Sequence, residues 1–173
     1  MVSKVDYRIR RAYELGVKYE SLYRGCCQCT LAALQDAFNK KDDGTFKVST
    51  GLATGIGLIG SAGCGGYSGG TLFVGQFIGR ERKDFTKISS SDTEIFPIIK
   101  ELHDKFIEEY GTIICMDIQK KIFGRSFYLL EKDERALFEE MGGHKDKCPI
   151  VVGKAAAWTA EIVLKHPEIF KLD

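Results

Sequence analysis

A chain of 173 residues with 44% apolar and 28% charged residues has the size and composition of one globular domain that can bury a respectable core. Its formal net charge is +1, with acids and bases interspersed, and no basic block with interleaved aromatics marks a nucleic-acid surface. The N-terminus, MVSKVDYRIRRAYELG, holds no apolar run of signal-peptide length, so the sequence predicts a cytoplasmic protein.

From about Val5 to Tyr23 apolar residues recur close to helical spacing, with Gly16 as a weak point. Gly25 breaks the pattern, and Cys26-Cys27-Gln28-Cys29 opens a second helix that ends near Asn39, before the solvated KKDDG turn. Thr45 to Thr50 reads either as a short strand or as the start of another helix. Val48 to Gly79 then runs for thirty-two residues without a formal charge and carries eleven of the nineteen glycines, with Cys64 near its middle. Gly51/Gly55, Gly66/Gly70 and Gly75/Gly79 sit at a spacing that strips side chains from one helix face and lets another backbone approach. The stretch predicts two buried helical segments that meet near Gly63-Cys64, held by tertiary packing because isolated helices disfavour so much glycine.

Arg80 to Lys87 returns the chain to the surface. Ser89, Ser90, Ser91 and Asp92 are N-cap candidates, with Glu94 completing a capping box, for a helix that places Pro97 in its first turn and stops at Gly111. TIICMDIQKKIFG is helical with Cys115 facing inward, Ser126 to Gly143 is a polar helix or loop, and Pro149 starts a strong final helix. The pattern predicts an all-α single domain over residues 1–173, with about five to seven closely packed helices around a glycine-rich buried helical centre.

Six cysteines in a reducing compartment lean toward metal binding or redox chemistry rather than structural disulfides. Any one of them is more simply a small core residue, and Cys27, the surplus thiol, reads as a core or surface cysteine. The set of Cys26, Cys64, Cys115 and Cys148 is different. Three of these fall where helices begin, and Cys115 lies inside one. A helix N-terminus offers free N–H groups and roughly half a positive charge, both of which favour thiolate, the form that binds metal. Four thiolates suit zinc or an iron–sulfur cluster, and such dispersed ligands fit a cluster buried between helices better than a zinc ribbon. Cys26 and Cys29 also form a CxxC, the spacing of a dithiol couple, without the βαβ setting of a thioredoxin fold.

The order and setting of these cysteines resemble the redox-active proteins named for their pattern, C-GCAxxG-C-C. Gly25-Cys26-Cys27-Gln28-Cys29, Gly63-Cys64 with the preceding GIGLIG run, Cys115, and Cys148 with its alanine-rich helix carry the likeness, from about residue 10 to 165. One departure is Cys64-Gly65-Gly66-Tyr67-Ser68-Gly69, where glycine replaces the alanine after the central cysteine. The family resembles a domain of the split-Soret cytochromes. That implies an α-helical fold, a homodimer, and an iron–sulfur-type centre held by Cys26, Cys64, Cys115 and Cys148, with Gly63, Gly65 and Gly66 around the cofactor. Haem is not implied, because no cysteine pair is followed by histidine.

Other signals carry less. Gly55-Ile56-Gly57-Leu58-Ile59-Gly60 spells GxGxxG, but no βα alternation surrounds it. The uncharged stretch exceeds membrane-span length, yet its glycines, serines and threonines make it only modestly hydrophobic. His144, four residues before Cys148, is a replacement ligand at most, and a surface histidine by default. Trp158 belongs to the core. The leading expectation is an electron-transfer protein that holds an iron–sulfur cluster on the four cysteines and works with a separate redox partner. The rivals are a thiol–disulfide oxidoreductase and a zinc-stabilised or metal-free helical interaction protein. Neither a membrane nor nucleic acid is expected as a partner, and whether the chain is an enzyme is left open.

Overall fold

The computed structural model of the chain describes residues 4–87 and 91–171. Among them nine α-helices follow one another without a β-strand: α1 (Lys4–Tyr23), α2 (Cys26–Phe38), α3 (Asp43–Val48), α4 (Gly65–Ile78), α5 (Ser91–Tyr110), α6 (Cys115–Phe123), α7 (Lys132–Glu140), α8 (Cys148–Lys165) and α9 (Pro167–Phe170). The all-α expectation holds. The count exceeds five to seven because the short α3 forms where a strand or a helix was expected, and the short α9 follows α8.

α8 is the hub, packed by α1, α2, α4 and α5. Its buried residues include Val151, Val152, Ala155, Ala156, Ala160, Ile162 and Val163, a distribution that leaves little polar face and drives the helix into the interior. α1 meets it backbone to backbone. A Cβ on Gly16 would lie 3.1 Å from both Gly153 Cα and the Val152 carbonyl oxygen, so the weak point in the α1 sequence is the crossing point. Gly16→Val is expected to wedge the two helices apart and cost about 1–3 kcal/mol by overpacking, read as a lower midpoint in thermal unfolding.

Two boundaries follow the sequence closely. α2 ends at a left-handed Asn39 with φ 54°, and Asp42 caps α3 by accepting the Thr45 N–H at 2.6 Å. Pro97 differs from expectation: it stands in the interior of α5, because the helix already runs from Ser91, and it removes one helix hydrogen bond there. The cap expected from Ser89 to Asp92 depends on residues 88–90 and on side chains at 91–93, outside the described residues. Trp158 packs edge-on to the fully buried Phe106 at 5.3 Å, as does Tyr67 at 5.6 Å, which ties α8, α5 and α4 into one core.

The glycine-rich stretch holds the largest correction. Only its second half is a helix, α4; the first half is a 3-10 turn over Ser49–Leu52 followed by a left-handed run. Thr54, Gly55, Ile56, Gly57 and Leu58 have φ of 47°, 58°, 63°, 64° and 72°, a single left-handed turn closed by Leu58 N–H to the Ala53 carbonyl at 3.2 Å. Glycine at every second position makes this conformation accessible and the right-handed helix unfavourable. Of the three small-residue pairs, only Gly66/Gly70 faces helices, with Ala155 opposite the first and Thr159 and Leu102 opposite the second. No helix among the described residues is long and apolar enough to cross a membrane.

Candidate metal centre

Four helix N-termini point at one place. Cys26 is the first residue of α2, Cys64 caps α4, Cys115 is the first residue of α6, and Cys148 is the first residue of α8. Cys115 was expected inside its helix. Instead, α5 ends at the left-handed Gly111 and residues 112–114 run to a short bridge, Gly63 to Ile114. Cys64 N–H donates to the Ile113 carbonyl at 2.7 Å, and Cys115 N–H donates to the Ala62 carbonyl at 2.9 Å. This clasp sets two cysteines fifty-one positions apart side by side.

Cys26, Cys64, Cys115 and Cys148 line a single cavity of about 30 Å³, together with Glu20 and His144. That is room on the order of one or two waters, so a larger group is seated only by outward movement of the walls. The thiols ring the space rather than meet at a point. Among the described residues, no three His, Cys, Asp or Glu side chains stand close enough to share one ion. Gly65 has no side chain where Cys26 Sγ lies; a Cβ there would collide with the sulfur. Gly63 faces the Tyr67 ring, and Gly66 faces Ala155 and Phe106, so those two admit protein neighbours.

The helix ends do not turn the thiols into thiolates. Burial pushes Cys26, Cys115 and Cys148 well above the ordinary thiol range, and the negative charges of Glu20 and of one another push them further. Cys64 rises to about 11 through burial, even though the N–H groups of Gly66 and Tyr67 favour its charged form. The sequence-based expectation of lowered thiol pKa values is therefore corrected: desolvation exceeds the helix-end field when no cation is present. Cys27 is fully buried and raised by burial to about 12, which makes it the core residue of the two readings open to it. Cys29 is buried too, with its Sγ 3.1 Å from the Arg24 carbonyl oxygen, and it does not line the cavity.

The chain matches the family model described as "Putative redox-active protein (C_GCAxxG_C_C)" over residues 25–162, well over half its length. It belongs to this family. No curated protein and no solved structure matches it. The C_GCAxxG_C_C match takes in all four cavity cysteines and begins only after α1 has ended.

The left-handed turn forms part of the cavity wall. Thr54 lines it, and the Thr54 N–H donates to Cys26 Sγ at 3.2 Å. Ile56 and Leu58 occupy a region that costs a residue with a Cβ roughly 1–2 kcal/mol, and such strain concentrates at functional sites. Ile56 is half exposed, so Ile56→Gly relieves strain while removing little packing. The expected result is a gain of about 1 kcal/mol in stability, measured as a higher urea midpoint.

Two members of the site escape the C_GCAxxG_C_C pattern. Glu20, on α1, is 2% exposed and lies outside the matched segment. Its register was visible: among the described side chains of α1, Ala12, Gly16 and Glu20 are the buried positions, spaced four apart, and a carboxylate continues a stripe of small residues that faces α8. His144, read as a surface histidine, is instead partly buried against the Phe138 ring, with its Nδ1 2.7 Å from Glu139 Oε1. A five-residue π-turn over Gly143–Lys147 carries it inward, and Gly143 packs so closely on Phe138 that no Cβ fits.

Proposed function

We infer that the chain is an electron-transfer protein whose Cys26, Cys64, Cys115 and Cys148 hold an iron–sulfur cluster. The observation that carries this is the cavity. Four thiols and a carboxylate surround one enclosed space; burial pushes each toward its neutral form, and the charge of Glu20 pushes the thiols further. A bound cation reverses that balance and makes every one of them a ligand or a counter-charge. The ring arrangement favours a polynuclear group, whose thiolates bind different metal atoms, over one zinc ion that needs four ligands on a point.

When bound, such a cluster would supply one-electron redox chemistry between a donor and an acceptor, held by Cys26, Cys64, Cys115 and Cys148 with no bond made or broken in the protein. The chain's own residues do the rest. α8 and the left-handed turn exclude water. The Thr54 N–H reaches Cys26 Sγ and the N–H groups of Gly66 and Tyr67 reach Cys64 Sγ, and hydrogen bonds to ligand sulfur stabilise the more negative, reduced state. The homodimer and the separate redox partner belong to the same proposal.

The thiol–disulfide alternative requires an accessible thiolate of low pKa, whereas these thiols are raised, and every one but the partly buried Cys148 is buried. The test is anaerobic incubation with ferrous iron and sulfide, followed by an absorption spectrum and iron and sulfide analysis. Brown protein with both elements is expected, and Cys→Ser at any of the four positions should weaken or bleach the colour. Protein that stays colourless and iron-free overturns the assignment.

A further inference from the structure

The buried carboxylate of Glu20 is the least explained group in the molecule. Its Oε2 has no hydrogen-bond partner, and burial of such an atom disfavours the folded state unless something is bound to it. The carboxylate's other contacts are weak. Oε1 stands 3.7 Å from His144 Nε2, and the Cys29 side chain lies within hydrogen-bond reach. The polar groups nearby are engaged elsewhere: Arg24 pairs with Glu139 at 3.1 Å, and the Nδ1 of His144 lies 2.7 Å from the same carboxylate. Glu20 therefore lines the four-cysteine cavity and the larger cavity beside it with a buried oxygen that accepts no hydrogen bond.

Resting on the cluster reading above, we propose that Glu20 Oε2 is an oxygen ligand of the same metal centre, giving a donor set of four sulfurs and one carboxylate. The chemistry follows from donor hardness. A carboxylate oxygen favours ferric over ferrous iron and binds less tightly than thiolate. The iron it touches is therefore electronically distinct from its neighbours. The donor comes from α1, ahead of the segment that carries the four-cysteine pattern.

The experiment loads wild-type, Glu20→Gln, Glu20→Asp and Cys29→Ala proteins anaerobically with ferrous iron and sulfide. It records the Mössbauer spectrum of each and the half-time of iron release to a chelator. The expected wild-type spectrum contains an iron subsite unlike the rest. In Glu20→Gln that subsite disappears and release is roughly tenfold faster, the scale on which removal of a metal-site group acts. Glu20→Asp keeps a carboxylate and is expected to fall between the two. Cys29→Ala removes only the thiol neighbour of Glu20 and should match wild type, which separates ligation from a purely structural role. A wild type that takes up no iron overturns the cluster and this ligand together. A wild type that loads, with a Glu20→Gln protein of identical spectrum and release rate, overturns the ligand alone.

Discussion

Without metal, Glu20→Gln is expected to make the protein more stable at pH 7.5 by on the order of 3 kcal/mol and to abolish most of its pH dependence between about 4.5 and 7. Burial raises the Glu20 carboxyl from 4.5 to about 7, opposed only in part by Cys29 and Arg24, and each tenfold change in proton affinity corresponds to about 1.4 kcal/mol. The folded chain binds a proton here that the unfolded chain has already lost. The contribution of Glu20 to stability is therefore fullest below about pH 4.5, falls as the pH rises through about 7, and is flat beyond. Glutamine is neutral throughout and removes the slope. Urea unfolding of chelator-treated protein at a series of pH values measures it; parallel curves for the two proteins would contradict the assignment. The same substitution is expected to weaken the loaded state, so a residue that destabilises the empty protein is retained by what it does for the full one.

Gly69→Ala and Gly75→Ala, the same change twice in α4, are expected to act in opposite directions. A Cβ on Gly69 would stand 2.6 Å from the Cys27 carbonyl oxygen and 2.7 Å from Thr30 Cβ, both in α2 just beside Cys26. The backbone there has no flexible end to swing away, so overpacking of about 1–3 kcal/mol outweighs the helix-propensity gain of about 1 kcal/mol. The displaced α2 also carries Cys26 out of register with Cys64, and iron uptake should fall with stability. A Cβ on Gly75 meets nothing, so that variant keeps the propensity gain alone and should melt higher than wild type. Thermal unfolding of the pair gives the signs directly.

The parts of the fold legible in the sequence were those where local and tertiary preferences agree. α2 could be bounded because Gly25 precedes it and Asn39 follows, and both adopt left-handed conformations. α8 could be read from Pro149 and its apolar run. Cys26, Cys64, Cys115 and Cys148 stood out by their setting, and the structure brings all four to one cavity. What was not legible depended on partners far along the chain. Residues 53–60 look helical or nucleotide-binding by spacing, yet a left-handed turn is stabilised there by Met116 N–H to the Gly60 carbonyl at 2.9 Å and by the tight fit of Gly55 against Cys115. The thiol pKa values went the other way from expectation because helix ends are visible in sequence and burial is not. Glu20 was missed: its four-residue spacing from Ala12 and Gly16 is in the sequence, but that this face of α1 is the one pressed against α8 shows only in the depth of Gly16 against Gly153.

The four thiols come from four separate helices between residues 26 and 148, and this sets an order of events at the ribosome. Closing so many long loops is entropically costly until helix packing compensates. While the chain is being made, Cys26 and Cys64 are already outside, with none of the burial that later suppresses their ionisation, and they behave as ordinary reactive thiols. Cys148 arrives last and brings with it α8, the helix on which the others pack. The complete set of four thiols therefore exists only once synthesis has passed α8, and the thiols made first stay open to oxidation until then.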